Sequence, residues 1–178
     1  RVDQLDEARY SVDGSPADCV RVAIHALGLK PDVVVSGLNF GGNLGADLPI
    51  SGTAAAAREA AYHGVRAAAF SHYHRNHLEL DWEKAGRRVQ RVLKERIFDD
   101  PWTPGTFWNV NLPHLEPGEP EPEVVDTRPC RNPLPVRYES SGSGAWRYSG
   151  SYSDRDREPG SDVDVCFSGK ISVSLISL

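Results

Sequence analysis

Val33-Val34-Val35 sets three β-branched side chains in a row with no polar residue between them. A strand wet on one face alternates apolar and polar residues. An unbroken β-branched run instead suits a strand covered on both faces, as in a parallel sheet between helical layers. The flanking segments agree with that placement. Ser15-Pro16-Ala17-Asp18 reads as a helix start, with Ser15 as N-cap, Pro16 at the first helical position and Asp18 facing the dipole. Ala17, Val20, Ala23, Ile24 and Leu27 follow at helical spacing, and Gly28 with Pro31 closes the helix.

The alternation continues along the chain. A short strand is expected over residues 9–13 and an alanine-rich helix over 54–63, its small side chains suited to lying close on a sheet. Further strands are expected over 65–70 and 107–112. Between them an amphipathic helix runs from about residue 81 to 97, with Trp82, Ala85, Val89, Val92, Leu93 and Ile97 as its apolar stripe and Lys84, Arg87, Arg88, Arg91 and Lys94 outside it. Strands alternating with helices predict an α/β domain, a three-layer α/β/α sandwich of Rossmann-like type with a mostly parallel sheet. With 178 residues the chain has room for one such domain. Beyond Pro113 helical periodicity disappears and Pro, Gly, Ser and Tyr become frequent. The expected division is an α/β core over 1–112 and a β-rich extension over 113–178, closing with a strand over 170–176.

Charge narrows the function classes. Twenty Lys and Arg against 25 Asp and Glu leave a formal charge of −5. A general nucleic-acid clamp needs a basic surface, so no specific nucleic-acid binding is expected. No apolar run approaches the length of a membrane span, and no signal peptide is readable at the start. Cys19, Cys130 and Cys166 are far apart and odd in number, which suits free thiols in a reducing cytoplasm. The sequence starts at Arg1 and contains no Met, and is read as a fragment.

The chemistry is expected where ligands sit in open α/β sheets, beyond the carboxyl ends of the strands. Ser36 to Gly45 (SGLNFGGNLG) is a glycine-rich stretch in that place. It is not a nucleoside-triphosphate loop, because Gly45 is followed by Ala46-Asp47 where a Lys and a hydroxyl residue would be needed, and its glycines lack dinucleotide-fingerprint spacing. Glycines such as Gly41 and Gly42 let backbone N–H groups approach an anion, and the Asn39 and Asn43 amides can ligate a hard cation through oxygen. Ser51-Gly52-Thr53 adds hydroxyls and open N–H groups at a helix start. Phosphate beside a divalent cation fits this set. Turn formation by Gly and Asn, with helix capping by Ser51 or Thr53, fits the spacing equally well.

The blocks Ser15-Pro16-Ala17-Asp18-Cys19-Val20, Pro31 to Asn39, Gly41 to Gly45 and Ser51-Gly52-Thr53 through Glu59 resemble the SurE family of metal-dependent 5′/3′-nucleotidases or acid phosphatases. Fainter echoes follow at Asn109-Val110-Asn111-Leu112-Pro113, Thr127-Arg128, Pro159-Gly160-Ser161-Asp162 and residues 171–175. The resemblance implies hydrolysis of nucleoside 5′(3′)-monophosphates with Mg²⁺ or Mn²⁺, and assembly as a homodimer or homotetramer. It carries the metal ligand of the Ser-Gly-x-Asn block to Asn39, and phosphate contacts to the Asn39–Asn43 stretch and Ser51, Gly52 and Thr53. The family's acidic metal pair, its loop serine and its first strand would lie before Arg1. The alternative is a nucleotide- or phosphate-binding module that does not hydrolyse. Departures at Ala46 and Ile50 bear on substrate preference.

Other groups have plainer readings. His72, His74 and His77 are expected in a solvated loop, the basic residues from Arg87 to Lys94 on a wet helix face, and the acids between Asp99 and Asp126 in solvated loops. Trp102, Trp108 and Trp146 are expected to pack or to lie at interfaces, and Cys19, beside Asp18, is not expected to act as a nucleophile.

Overall fold

The computed structural model describes residues 1–75 and 78–178. In chain order it contains β1 (Val2–Gln4), β2 (Tyr10–Val12), α1 (Pro16–Arg21), β3 (Val33–Phe40), α2 (Gly52–Tyr62), β4 (Arg66–His72), α3 (Trp82–Val92), β5 (Thr106–Leu112), β6 (Val124–Asp126), β7 (Tyr138–Ser140), β8 (Trp146–Tyr148), α4 (Asp162–Phe167) and β9 (Ile171–Ser177). Wider π-type turns extend α1 through Ala26 and α3 through Phe98, and a 3₁₀ helix, Gly45–Ile50, leads into α2.

Five strands form the central sheet in the order β3-β4-β5-β9-β6. β3, β4 and β5 run parallel, β9 is antiparallel to β5, and β6 is parallel to β9. The β-branched run thus lies in a parallel pairing as expected, but β3 is the edge strand and Val35 is exposed, so the run is not covered on both faces. Alternate residues of β4 enter opposite cores: Ala67 and Ala69 pack with α1 and α2, while Ala68 and Phe70 pack with α3. On the α2 side the helix presents Ala54, Ala56, Ala57, Ala60 and Ala61, all buried. Methyl-sized contacts let its backbone approach the strands closely. Ser15 caps α1 through a reciprocal bond pair with Asp18, as the sequence predicts.

Several expectations need correction. β3 continues through Phe40, so Ser36 to Phe40 is strand rather than loop. The region after Pro113 does contain a helix, α4, too short at six residues to show periodicity. β6 and β9 from that region are strands of the central sheet, and β7–β8 form a separate exposed hairpin. Arg88, placed on the wet face of α3, is buried, and Glu121 from the acidic stretch takes its Nε–H and Nη2–H at 3.1 and 3.4 Å. That pairing holds the Glu121 carboxyl below its usual range and supplies the counter-charge a buried guanidinium needs. Trp82, on the predicted apolar stripe, is exposed, whereas Trp108 packs in the core. His72 is buried at the end of β4, and His77 lies outside the described residues.

Gly37 marks where β3 bends toward the site. Its φ is +110°, and a Cβ there would lie 2.2 Å from the Phe70 carbonyl oxygen on β4. Gly37→Ala is therefore expected to destabilise the fold by more than about 3 kcal/mol, read from the urea midpoint. At Gly64, with φ +68° and open space around it, the same substitution is expected to cost only about 1 kcal/mol.

Candidate functional site

The carboxyl ends of β3, β4 and β5 meet at Asn39, Ser71 and Asn111. Asn39 pairs with Ser71 across the β3–β4 ladder, and Ser71 with Asn111 across β4–β5. Asn39 turns its side chain back on its own chain: Nδ2–H donates to the Gly41 carbonyl at 2.8 Å. The amide is thereby oriented, and its Oδ1 has no partner among the described residues.

Asn43 is buried, and its Nδ2–H donates to the Ser71 hydroxyl. Its main chain is held from β5. The Asn43 N–H donates to Asn111 Oδ1 at 2.8 Å, and its carbonyl accepts from Asn109 Nδ2 at 2.9 Å and Asn111 Nδ2 at 3.2 Å. Both β5 asparagines are completely buried.

The following residues are fixed by the C-terminal third. Asp162, buried at the start of α4, accepts from the Gly45 and Cys130 N–H groups, each at 2.8 Å, and from Val163. Burial pushes its carboxyl up against the downward pull of those three donors. The buried Arg155 donates to Asp47 at 2.9 Å and to the Leu44 carbonyl at 3.0 Å, and the Tyr152 hydroxyl also donates to Asp47. Arg155 stacks on Tyr152, which stacks with Tyr73, which stacks on Phe167. Gly45 sits at φ +51°, where a Cβ would approach the Cys130 carbonyl to 2.7 Å.

This network changes the role expected of the glycine-rich stretch. The Gly41 N–H goes to the His72 carbonyl, Asn43 to Asn111, Leu44 to Asp47 and Gly45 to Asp162. Only the Gly42 N–H lacks a partner among the described residues. Most donors expected to face an anion instead fix the shape of the turn. The helix start is more open. Ser51 caps α2, its Oγ accepting from Ala54 N–H at 3.0 Å, which leaves the hydroxyl proton to donate. The Gly52 and Thr53 N–H groups and the Thr53 hydroxyl bond to nothing among the described residues. α2 packs on β3 and β4, so this donor set belongs to the same side of the sheet as Ser71 and Asn111.

Asn39 suits one oxygen-ligand position of Mg²⁺ or Mn²⁺. Among the described residues no group of three or more His, Cys, Asp or Glu could hold a metal, so these residues do not make a complete cation site by themselves.

Comparison with known proteins decides the family. The family described as Survival protein SurE matches residues 1–133. The chain belongs to the SurE family. It is 49% identical over 168 residues to the Putative 5'-nucleotidase alr3139 of Nostoc sp., covering 94% of this chain and 74% of that protein. It is 36% identical to the 5'-nucleotidase SurE of Allorhizobium ampelinum, covering 100% of this chain and 72% of that one. Among solved structures, the SurE protein of Aquifex aeolicus superposes with a TM-score of 0.77 at 28% identity, over 99% of this chain and 73% of the other. These relatives support a nucleotidase and place the α/β sandwich within the SurE fold.

The SurE motif residues Asn39, Asn43, Ser51 and Thr53 had a readable signal; Asn109, Asn111, Asp162, Arg155 and Tyr152 were not assigned roles from sequence. One clue did exist. Asn109-Val110-Asn111 puts two amides on one face of an otherwise apolar strand, which the interior tolerates only when they are bonded.

His72 gives this end of the sheet a pH dependence. Its Nδ1–H donates to the Tyr73 carbonyl at 2.7 Å, and the ring contacts His114 edge-on. Burial depresses its pKa from 6.5 to about 4. Between those values the unfolded chain takes up a proton that the folded chain refuses, so stability falls as pH drops from 6.5 toward 4. The loss is expected to reach about 3 kcal/mol. Denaturant titrations across that range should show a shallower pH slope for His72→Asn.

Proposed function

We propose that this SurE-family chain is a metal-dependent phosphomonoesterase that hydrolyses nucleoside 5′(3′)-monophosphates to nucleoside and phosphate. The observation carrying this reading is the orientation of Asn39, whose Nδ2 is tied to Gly41 while Oδ1 stays unpartnered at the carboxyl end of β3. The names of the relatives support the nucleotidase class.

The chain's own residues have separable tasks. The Gly52 and Thr53 N–H groups, at the positive end of α2, attract the phosphate dianion. The Ser51 and Thr53 hydroxyls and the Gly42 N–H donate to phosphoryl oxygens, on which charge is spread during transfer. Asn43, locked to Ser71, limits how deep the phosphate can sit. Asn39 Oδ1 contributes one neutral ligand to Mg²⁺ or Mn²⁺, which when bound offsets phosphate charge and favours an attacking water. A second reading, phosphate binding without hydrolysis, is favoured by the lack of a metal-holding acidic group among the described residues.

Self-association as a homodimer or homotetramer belongs to the same proposal. The β7–β8 hairpin exposes Tyr138, Trp146 and Tyr148, an aromatic surface suited to a second copy of the chain. The three cysteines are free, as suits a reducing cytoplasm, and among the described residues no helix is long and apolar enough to cross a membrane.

Release of inorganic phosphate from nucleoside monophosphates tests the reading. Asn39→Ala is expected to lower kcat/KM at least about 100-fold with an unchanged circular-dichroism spectrum. A chelator should abolish turnover, and added Mg²⁺ or Mn²⁺ should restore it. Chelator-insensitive hydrolysis would refute the metal assignment, and phosphate binding without any turnover would select the second reading.

A further inference from the structure

Asn43 is gripped at its main-chain N–H and C=O by two side chains that lie 66 and 68 residues away in sequence. Asn111 meets these two groups as a neighbouring strand would, Oδ1 taking the N–H and Nδ2 giving to the carbonyl. Asn109 adds a second donor to the same carbonyl, filling both lone pairs of that oxygen. The Asn109 side chain accepts a cost to do so: its Oδ1 is buried with no hydrogen-bond partner. An apolar residue of similar size would fill this position without leaving an unpaired oxygen, so packing alone does not explain an amide here. What the amide does supply is the bond to Asn43.

We propose that Asn109 and Asn111 are positioning residues, which fix the Asn43 main chain on both sides of its Cα and through it the placement of the Gly41-Gly42 turn toward the phosphate. The inference rests on the phosphatase reading above. The turn is tied to β4 by the Gly41 N–H on the His72 carbonyl, and Asn39 before it pairs with Ser71 on the ladder. The Gly42 N–H is unbonded among the described residues, so beyond Gly41 the Asn43 main chain and side chain are the anchor, and the main-chain bonds are its tie to β5. With that anchor released, the Gly42 N–H moves relative to the start of α2, and with it the Gly41 carbonyl that orients the Asn39 amide. A misplacement of about 1 Å is enough to cost about 100-fold in rate.

The test compares Asn109→Ala and Asn111→Ala in the intact protein with Ser174→Ala. Ser174 is buried on β9 opposite Asn109, its hydroxyl bonds Thr127, and no hydrogen bond joins it to Asn43 among the described residues. Each variant is measured for kcat and KM on a nucleoside monophosphate with Mg²⁺, at a temperature well below its own Tm. Inhibition by inorganic phosphate is measured in parallel. Positioning predicts a fall in kcat of about 100-fold for Asn111→Ala and about 10-fold for Asn109→Ala, with phosphate inhibition weakened in the same order. Ser174→Ala should lose thermal stability and keep its kcat. If Asn109→Ala and Asn111→Ala lower Tm but retain wild-type kcat and phosphate inhibition, their role is structural only and the proposal is wrong. Should Asn111→Ala not fold, Asn109→Ala decides alone, because Asn111 still holds the Asn43 N–H and C=O in it. A wild-type protein that neither hydrolyses the substrate nor responds to phosphate would instead refute the phosphatase reading itself.

Discussion

A buried residue needs partners for both its main-chain N–H and its C=O, and at Asn43 no strand supplies them. Two asparagine side chains on β5 do so in the place of backbone. That substitution lets the chain leave β3, turn through Gly41-Gly42 and pass over the end of the sheet without exposing its main chain to an apolar interior. The path to the 3₁₀ helix and then to the cap of α2 starts from this point. The path that joins Asn39 on the ladder to Ser51 and Thr53 is first fixed by how this residue is held.

The second half of the restraint comes from the far end of the sequence. Asp162 ties Gly45 to α4, and Arg155 with Tyr152 ties Asp47 and Leu44 to the segment before it. Arg155 and Asp47 form an ion pair whose guanidinium is removed from water. Such a pair is a poor source of net stability but a strict judge of geometry, because an unmatched charge there would be expensive. The aromatic stack from Tyr152 through Tyr73 to Phe167 braces it from outside. The C-terminal third is thus part of the site's scaffold as well as of the sheet.

Legibility in the sequence followed the range of the interactions. Local signals were sufficient for the sandwich: the valine run, the Ser15 cap, the alanine face of α2 and the stripe of α3 each act within a few residues. The resemblance to SurE singled out Asn39, Ser51 and Thr53 as candidates. What stayed hidden depends on distant partners. Arg88 belongs to a helix face that propensity assigns to water, and only Glu121, 33 residues later, makes its burial tolerable. Ser36 to Phe40 carries turn-forming Gly and Asn, yet Ser36, Asn39 and Phe40 pair with β4 on either side of an irregularity at Gly37-Leu38. α4 is too short for periodicity, though Ser161 and Asp164 did offer a local capping signal. The glycine-rich stretch invited an anion-cradle reading because composition shows which N–H groups exist and not which are already bonded.

α2 rests on the sheet through methyl groups alone. The depth of the seat under its first turn is therefore set by the smallest side chain that can fill it, and that seat carries Ser51 and Thr53. Enlarging Ala57 or Ala60, neither of which meets solvent, would lift the helix like a shim under a lever and raise its first turn away from the Asn39 strand end. The alignment of the candidate site is thus open to adjustment, or to damage, from positions buried beneath the helix.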